Sequence, residues 1–192
     1  DTDAKNFEPS YSNYREPTLE ELIANDYMTF TESKSKGADN SVSIGMTRQM
    51  VRIVVDEIIY NSQYTVADNE VTEIRISAGK SYYRQGVWEG VPCWAKMYKH
   101  SDGFWYAVLP PTAEKMDDEE FLYITVNDVT TSMSVKGIPA TEAGKSYKFS
   151  LTLGKDVASV GNVTVEDWNS GVIEGGVAKE MNCYLPKGSD FN

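Results

Sequence analysis

The segment Lys145–Gly171 carries the clearest secondary-structure signal in the sequence. Apolar side chains alternate with polar ones in its first part, at Tyr147, Phe149, Leu151 and Leu153. This period of two indicates a β-strand with one buried face and one solvated face. A second alternation, with Val163 and Val165 on one face, follows the polar turn Gly154-Lys155-Asp156. The segment therefore predicts an antiparallel hairpin, and it contains no catalytic motif.

Similar strand patterns recur along most of the chain and are separated by Asn, Asp, Gly and Pro. The predicted strands are Tyr27–Thr31, Val42–Met46, Met50–Ile59, Val71–Ser77, Tyr82–Trp88, Val91–Tyr98, Phe104–Leu109, Phe121–Val126, Thr130–Val135 and Met181–Leu185. Many short strands without a βαβ rhythm predict an all-β protein, an antiparallel β-sandwich. We expect residues 1–40 to form an irregular leader and linker, and residues 41–192 to form the sandwich domain.

One short helix is predicted inside the leader. Thr18 precedes Leu19-Glu20-Glu21, so Thr18 and Glu21 have the spacing of a capping box. The helix is expected to end near Asn25. The first residues of the chain are polar and acidic, which is not the pattern of a signal peptide.

Composition excludes some classes of function. The chain has 192 residues, of which 41% are hydrophobic, and a net charge of −11. This length is sufficient for one sizeable core. The acidic surface disfavours nucleic acid as a partner, since phosphate backbones carry the same sign of charge. The sequence also lacks an apolar run long enough for a transmembrane helix.

Few residues have the spacing that a catalytic or metal site requires. The single histidine, His100, lies next to Asp102 in a turn-like stretch and is interpreted as a loop residue. Cys93, Cys183 and His100 do not form a zinc pattern. The acidic run Asp117–Glu120 is read as a solvated loop, because consecutive carboxylates do not point at one calcium ion. We therefore predict no enzymatic activity, no metal and no cofactor.

The cysteines and tryptophans leave alternatives open. Cys93 and Cys183 either pair or remain separate buried thiols, and the latter is favoured. Trp88, Trp94 and Trp105 lie close together in the sequence and either fill the core or present rings to a sugar. The core interpretation is favoured, and exposed tryptophans of a carbohydrate-binding module remain the alternative function.

Three stretches resemble the fimbrillin-like surface proteins of Bacteroides-type bacteria. In PATEAGKSYKFSLTLGKDVASVGNVTVEDW, the pattern is similar to a GKSYxFxLxxGKD strand followed by an xVxVxxW strand. LEELIANDYMTFTES is similar to the linker between the two domains of that family. SVSIGMTRQMVRIVV is similar to the strand that follows this linker, although Gly45-Met46-Thr47-Arg48 replaces the typical Phe and His.

The resemblance implies a fold, a function and a location. The family has two β-sandwich domains of transthyretin-like, Greek-key topology, and the chain would cover the linker and the second domain. The implied function is that of a structural fimbrial subunit or a cell-surface adhesin, exported and lipid-anchored before proteolytic maturation. The implied partners are other fimbrial subunits and a ligand on a host or bacterial surface.

The C-terminal segment is the candidate for assembly through strand addition. Met181, Cys183 and Leu185 alternate with Asn182, Tyr184 and Pro186. Such a strand can add to an open sheet edge of another subunit, where its main chain pairs and its alternate side chains fill pockets. It can equally be an ordinary edge strand of its own sandwich, and both interpretations stay open.

Overall fold

The structure is a computed structural model, and it describes most of the chain in seven stretches. The described residues are 7–11, 15–29, 46–64, 69–112, 120–136, 138–155 and 157–168. They contain the helix α1 (Leu19–Ala24) and 14 strands. The strands are β1 (Met28–Thr29), β2 (Thr47–Arg48), β3 (Val51–Tyr60), β4 (Val71–Ser77), β5 (Tyr82–Arg84), β6 (Val87–Glu89), β7 (Trp94–Lys96), β8 (Tyr98–Lys99), β9 (Trp105–Leu109), β10 (Glu120–Val126), β11 (Val129–Lys136), β12 (Lys145–Leu153), β13 (Val157–Val160) and β14 (Thr164–Asp167).

Two strand layers form the sandwich, and the predicted all-β fold is confirmed. One layer has the order β7-β4-β10-β11 and the other has the order β12-β3-β9-β8. Strand β13 joins them, because it pairs with β11 on one side and with β12 on the other. Most pairs are antiparallel, and the exceptions are β3 with β12 and β11 with β13. The division of the chain at residue 40 remains a prediction, since residues 30–45 lie outside the described part.

Strand β12 confirms the alternation that the sequence showed. Tyr147, Phe149, Leu151 and Leu153 are all buried, whereas Lys148 and Ser150 between them are partly exposed. These apolar side chains join the buried cluster that β3, β4, β9 and β10 also supply. The core therefore lies between the two layers.

The predicted antiparallel pairing of β12 with a following strand is present, but two strands, β13 and β14, follow β12 where one was expected. Along one edge of β12, β13 pairs with Leu151–Leu153 and β14 pairs with Lys145–Lys148. The sequence prediction missed β13 and placed only β14. Val165 of β14 is about half exposed, so that strand presents no buried face. Its position at the outer edge of the layer explains this exposure.

Two further strand predictions were wrong. Val91–Tyr98 was expected to be a single strand, and it is divided into β7, which pairs with β4, and β8, which pairs with β9. Tyr82–Trp88 was expected to be a single strand, and it is instead the hairpin β5–β6. Gln85 and Gly86 both have positive φ, at 49° and 90°, which reverses the chain between the two strands. By contrast, the predicted turn at Asn127-Asp128 joins β10 to β11, with φ values of 49° and 64°.

The helix has the predicted boundaries and cap. The Thr18 hydroxyl accepts a hydrogen bond from the Glu21 amide, and the Glu21 carboxylate accepts one from the Thr18 amide. The helix ends at Asn25, whose buried side chain exchanges two 2.9 Å hydrogen bonds with the backbone of Ser10. Tyr11 donates from its hydroxyl to the Val108 carbonyl at 3.1 Å. The Asn25 bonds hold residues 7–11 against the end of α1, and the Tyr11 bond holds them against β9.

Candidate binding surfaces

The C-terminal residues that the sequence singled out lie outside the described part of the chain. Met181, Cys183 and Leu185 therefore keep both of their interpretations. Cys93 is half-buried, with its thiol 3.8 Å from the Lys80 carbonyl, and burial raises the pKa of that thiol. Cys183 lies outside the described residues, so the favoured interpretation of two separate thiols and the alternative of a pair both stay predictions.

The three tryptophans of the sugar-binding alternative have separate surroundings. Trp105 is only 3% exposed and belongs to the core, so its ring offers no face to a sugar. Trp94 meets Tyr123 edge-on at 4.5 Å between ring centroids. Trp88 donates its indole N–H to the Gln49 carbonyl at 3.2 Å. The geometry thus supports the core interpretation for Trp105, and a role of Trp88 and Trp94 in sugar binding remains a prediction.

His100 closes a turn before β9. Its Nδ1 lies 3.1 Å from the Asp102 carboxylate, and its backbone bonds with Gly103 and Phe104. Burial opposes ionisation of Asp102, but hydrogen bonds from Phe104, Tyr106 and His100 outweigh it and lower the pKa of Asp102. Burial and the hydrogen bond to Asp102 raise the pKa of Tyr106 to about 12. The prediction of a loop histidine agrees with this position in a turn.

The first candidate surface is an open strand edge, here called the β3 groove. Strand β9 pairs with β3 only over Val51–Val55. On that side, the rest of β3 (residues 56–60) has no partner strand among the described residues. A cavity of about 220 Å³ runs beside this edge and is closed by the start of β4 and the start of β9. Ile59, on the unpaired part, is 43% exposed. The surface combines unpaired main chain with an exposed apolar side chain.

The second candidate surface is a cavity of about 330 Å³ between α1 and the outer face of β3, β8 and β9, here called the helix groove. Its apolar wall comes mainly from α1 and β9, through Leu22, Ile23 and Val108. Rings and charged groups supply the remainder, namely Tyr98, His100, Tyr106, Trp168, Arg52 and Asp26. The helix groove therefore offers rings, a cation and an apolar wall in one place.

A buried ion pair supports one end of the helix groove. Arg48 approaches the Asp26 carboxylate with Nε at 2.7 and 2.9 Å and with Nη2 at 2.7 Å. Its Nη1 donates to the Trp168 carbonyl, and its guanidinium lies 4.1 Å from the centroid of the Trp168 ring. Arg52 lies 5.5 Å from the same ring. Asp26, Arg48 and Trp168 thus hold three distant parts of the chain together.

Sequence reasoning did not select Arg48, Arg52, Tyr98 or Trp168 as site residues. One signal was present, because Arg52 interrupts the β-branched run of β3. A charged residue within a central strand marks a polar position on its outer face. The partners of Arg52 come from β12 and β14, so local sequence could not identify them.

Neither a metal-binding cluster nor a membrane-spanning helix is present among the described residues. That part of the chain contains no group of three or more His, Cys, Asp or Glu side chains placed to hold a metal ion. No helix in that part of the chain is long and apolar enough to cross a membrane.

Comparison with known proteins gives a family and a fold. The model of the fimbrillin-like family matches residues 1–168. A solved structure of a candidate cell adhesion protein from Bacteroides uniformis ATCC 8492 is similar, with a TM-score of 0.57 and 21% sequence identity. That similarity covers 88% of this chain and 68% of the other. No curated protein matches the sequence significantly.

Two further solved structures are similar to this chain at lower TM-scores. A candidate cell adhesion protein from Bacteroides ovatus ATCC 8483 has a TM-score of 0.45 at 13% identity, covering 87% of this chain and 67% of that one. The tip fimbrial protein Mfa3 from Porphyromonas gingivalis, with a C-terminal truncation, has a TM-score of 0.43 at 10% identity. This chain matches over 68% of its own length and 55% of that protein. Identities this low describe similarity of fold alone.

Proposed function

This chain belongs to the fimbrillin-like family, and from that premise we propose that it is a structural fimbrial subunit or a cell-surface adhesin that assembles through strand addition. Family membership supports a fimbrial or adhesive role and a location at the cell surface. The strand-addition step, export with a lipid anchor before maturation, and pairing with other fimbrial subunits are the finer parts of the proposal. Binding of a ligand on a host or bacterial surface is another finer part of the proposal.

The open edge of β3 is the observation that supports assembly by strand addition. Unpaired N–H and C=O groups at a sheet edge form a template for another strand. A strand added beside residues 56–60 would extend the layer β12-β3 past the end of β9. Its side chains on the exposed face would then neighbour Ile59 across the new pair.

The C-terminal segment supplies a strand with suitable chemistry. If this segment is extended, the apolar side chains of Met181, Cys183 and Leu185 would lie on one face. The cavity beside β3 has room for side chains from a second subunit. We therefore assign the β3 groove of one subunit as the acceptor and the segment 181–185 of another as the donor.

A charged substitution on the acceptor edge tests this proposal. Ile59→Lys places a cation where the donor would pack, while leaving the buried residues of β3 unchanged. We expect loss of polymers in negative-stain microscopy and in size-exclusion chromatography, with an unchanged melting temperature. Val87→Lys is the matched control, because Val87 is also exposed but lies on the separate hairpin β5–β6. Assembly that survives Ile59→Lys as well as it survives Val87→Lys would rule out the β3 groove as acceptor.

The alternative of a carbohydrate-binding module that uses exposed tryptophans has less support. It requires several rings on one accessible face, and Trp105 lies in the core. Trp88 and Trp94 remain partly exposed, each packed against a different tyrosine. A glycan array probed with Trp88→Ala and Trp94→Ala variants would show whether either ring contacts a sugar.

A further inference from the structure

Two arginines near the helix groove differ in how well their charges are balanced. Arg48 is 13% exposed and has both carboxylate oxygens of the buried Asp26 as partners. Arg52 donates from Nε to the Ser146 hydroxyl at 2.9 Å, while its Nη2 lies 3.6 Å from the carboxylate of Glu166. Glu166 is exposed, so this weak pair is well screened by water. Arg52 therefore retains hydrogen-bonding capacity toward a further anion.

Aromatic rings lie beside this partly balanced cation. The centroids of Tyr98 and His100 are 5.9 Å apart, and those of His100 and Tyr106 are 5.8 Å apart, so the three form a continuous wall. The Tyr106 hydroxyl donates to Asp102, which fixes that ring. Trp168 adds a fourth ring from the end of β14. The wall presents apolar surface next to a charge.

We propose that the helix groove binds a sugar ring that carries a carboxylate. The guanidinium of Arg52 pairs with the carboxylate, and the rings of Tyr98 and Trp168 cover the apolar face of the sugar. The imidazole of His100, which is part of the wall, would offer a polar edge to the ring hydroxyls. This site goes beyond the proposed function, because binding of a small acidic sugar requires no assembly of subunits.

Size and charge favour this ligand over others. A cavity of about 330 Å³ lies at the lower end of the usual range for small-ligand sites, roughly 300–1,000 Å³. One arginine balances one carboxylate, and its planar fork matches the carboxylate geometry. A dianionic phosphate ester would be repelled by the neighbouring carboxylates of Asp26, Asp102 and Glu166. The described lining residues contain no second arginine or lysine to balance its second charge. A wholly apolar ligand would make no use of the remaining N–H donors of Arg52.

Glucuronate and glucose form a matched pair of probes, since they differ only in the carboxylate. We expect ligand-observed NMR titration to show millimolar binding of glucuronate to the wild-type protein and clearly weaker binding of glucose. Acetate, which has the carboxylate but no ring, should bind more weakly than glucuronate. Binding of glucuronate should also weaken as salt is added, because the Arg52 pair is partly exposed.

Variants at two neighbouring acidic residues separate a local effect from a general one. Glu166→Gln removes the carboxylate that competes for Arg52, and glucuronate affinity should rise several-fold. Asp167→Asn changes the net charge equally on the same strand, but Asp167 pairs with Lys145 at 2.5 Å. Its effect on glucuronate should be small. A gain of affinity cannot arise from a misfolded variant, so this comparison does not depend on stability.

Loss-of-binding variants complete the test. Arg52→Gln should lower glucuronate affinity by about tenfold, the usual scale of a charged hydrogen bond, and should leave glucose nearly unchanged. Tyr98→Ala should weaken both sugars, whereas Tyr82→Ala on the separate hairpin β5–β6 should weaken neither.

Four results would overturn the site. The first is that glucuronate does not bind to the wild type, and the second is that Glu166→Gln and Asp167→Asn change glucuronate affinity equally. The third is that Arg52→Gln leaves glucuronate affinity unchanged. The fourth is that acetate binds as tightly as glucuronate. The last result would reveal an anion site without sugar recognition. All of these measurements use the monomer, so failure of strand addition would leave their interpretation unchanged.

Discussion

Asp26 and Arg48 form a buried ion pair in which both carboxylate oxygens are engaged at 2.7–2.9 Å. Asp26 follows α1, and Arg48 lies in β2 just before the central strand β3. Since Arg48 also binds the carbonyl of Trp168, the pair ties the end of the linker to the point where the described part of the C-terminal region ends. It therefore links the packing of the residues after α1 to Trp168, the last described residue of the chain.

Removal of Asp26 should destabilise the protein strongly. Asp26→Ala leaves Arg48 buried without its counter-ion, and breaking such a pair typically costs about 3–5 kcal/mol of unfolding free energy. Urea denaturation at neutral pH measures this change. The exposed pair of Arg15 with Glu21 provides the control, because Arg15→Gln should cost no more than about 1 kcal/mol. A loss for Asp26→Ala as small as that for Arg15→Gln would contradict the structural role of the buried pair.

The alternation along β12 predicts a large difference between adjacent positions. Phe149 is 2% exposed and packs in the core, so Phe149→Ala should lower the free energy of unfolding by roughly 3–5 kcal/mol through lost burial and a cavity. Ser150 points to the opposite face, and Ser150→Ala should be close to neutral. Thermal and urea denaturation compare the two variants. Equal destabilisation would mean that the register of β12 is incorrect.

Stability should depend on pH through Glu73. Burial alone would raise its pKa, but hydrogen bonds and charges from Lys96 and Arg75 more than offset this, so the pKa of Glu73 is lowered in the folded protein. A lowered folded-state pKa adds stability above the unfolded-state value, and this stability is lost as the pH falls through the folded-state pKa.

The Glu73→Gln variant measures that contribution. We expect the wild type to be more stable than the variant at pH 7, and the difference to shrink as the pH falls below the ordinary carboxyl pKa of about 4.3. Urea denaturation across an acidic pH series detects it. Glu57→Gln, at an exposed position on β3, should show a smaller difference at neutral pH. A Glu73→Gln difference that does not change with pH would show that the ion pairs are not its cause.

Sequence patterns predicted those elements that are determined by residues close together in the sequence. The capping box at Thr18 and Glu21, strand β4, the Asn127-Asp128 turn and the buried face of β12 were all found in the sequence. Each depends on hydrogen bonds or alternation within a few residues. Strand β13 was missed although its pairing with β12 is a local hairpin across the predicted turn at Gly154, and its parallel pairing with β11 joins segments that are far apart in the sequence.

The candidate surfaces were much less accessible to sequence reasoning. The β3 groove exists because β9 ends its pairing at Val55, and the length of a partner strand cannot be read from β3 itself. The helix groove brings Tyr98, Arg52 and Trp168 together from three separate regions. The spacing of Trp88, Trp94 and Trp105 suggested a cluster, but the side chain of Trp105 is on the buried face of β9 and lies in the core. Proximity in sequence is a weak guide to proximity on a face when chains reverse every few residues.

The C-terminal segment provides the most direct test of assembly. It lies outside the described residues, and the proposal makes it a donor to another subunit. Deletion of Glu180–Asn192 should then leave the melting temperature of the monomer nearly unchanged, because a donor strand would pack on another subunit and not in its own core. The same deletion should abolish polymers in negative-stain microscopy. Replacing Met181 and Leu185 by Ser in the full-length chain should give the same loss, since it removes the apolar face and keeps the length.

A strongly destabilised deletion variant would support the other interpretation of the segment. An integral strand contributes core contacts and covers a neighbouring edge, so its removal should cost several kcal/mol of the roughly 5–15 kcal/mol available to a domain. In that case the Met181/Leu185 double variant should also unfold more easily in urea. A deletion variant that is stable and still polymerises would eliminate both roles of the segment. Assembly would then have to proceed through surfaces other than this C-terminal strand.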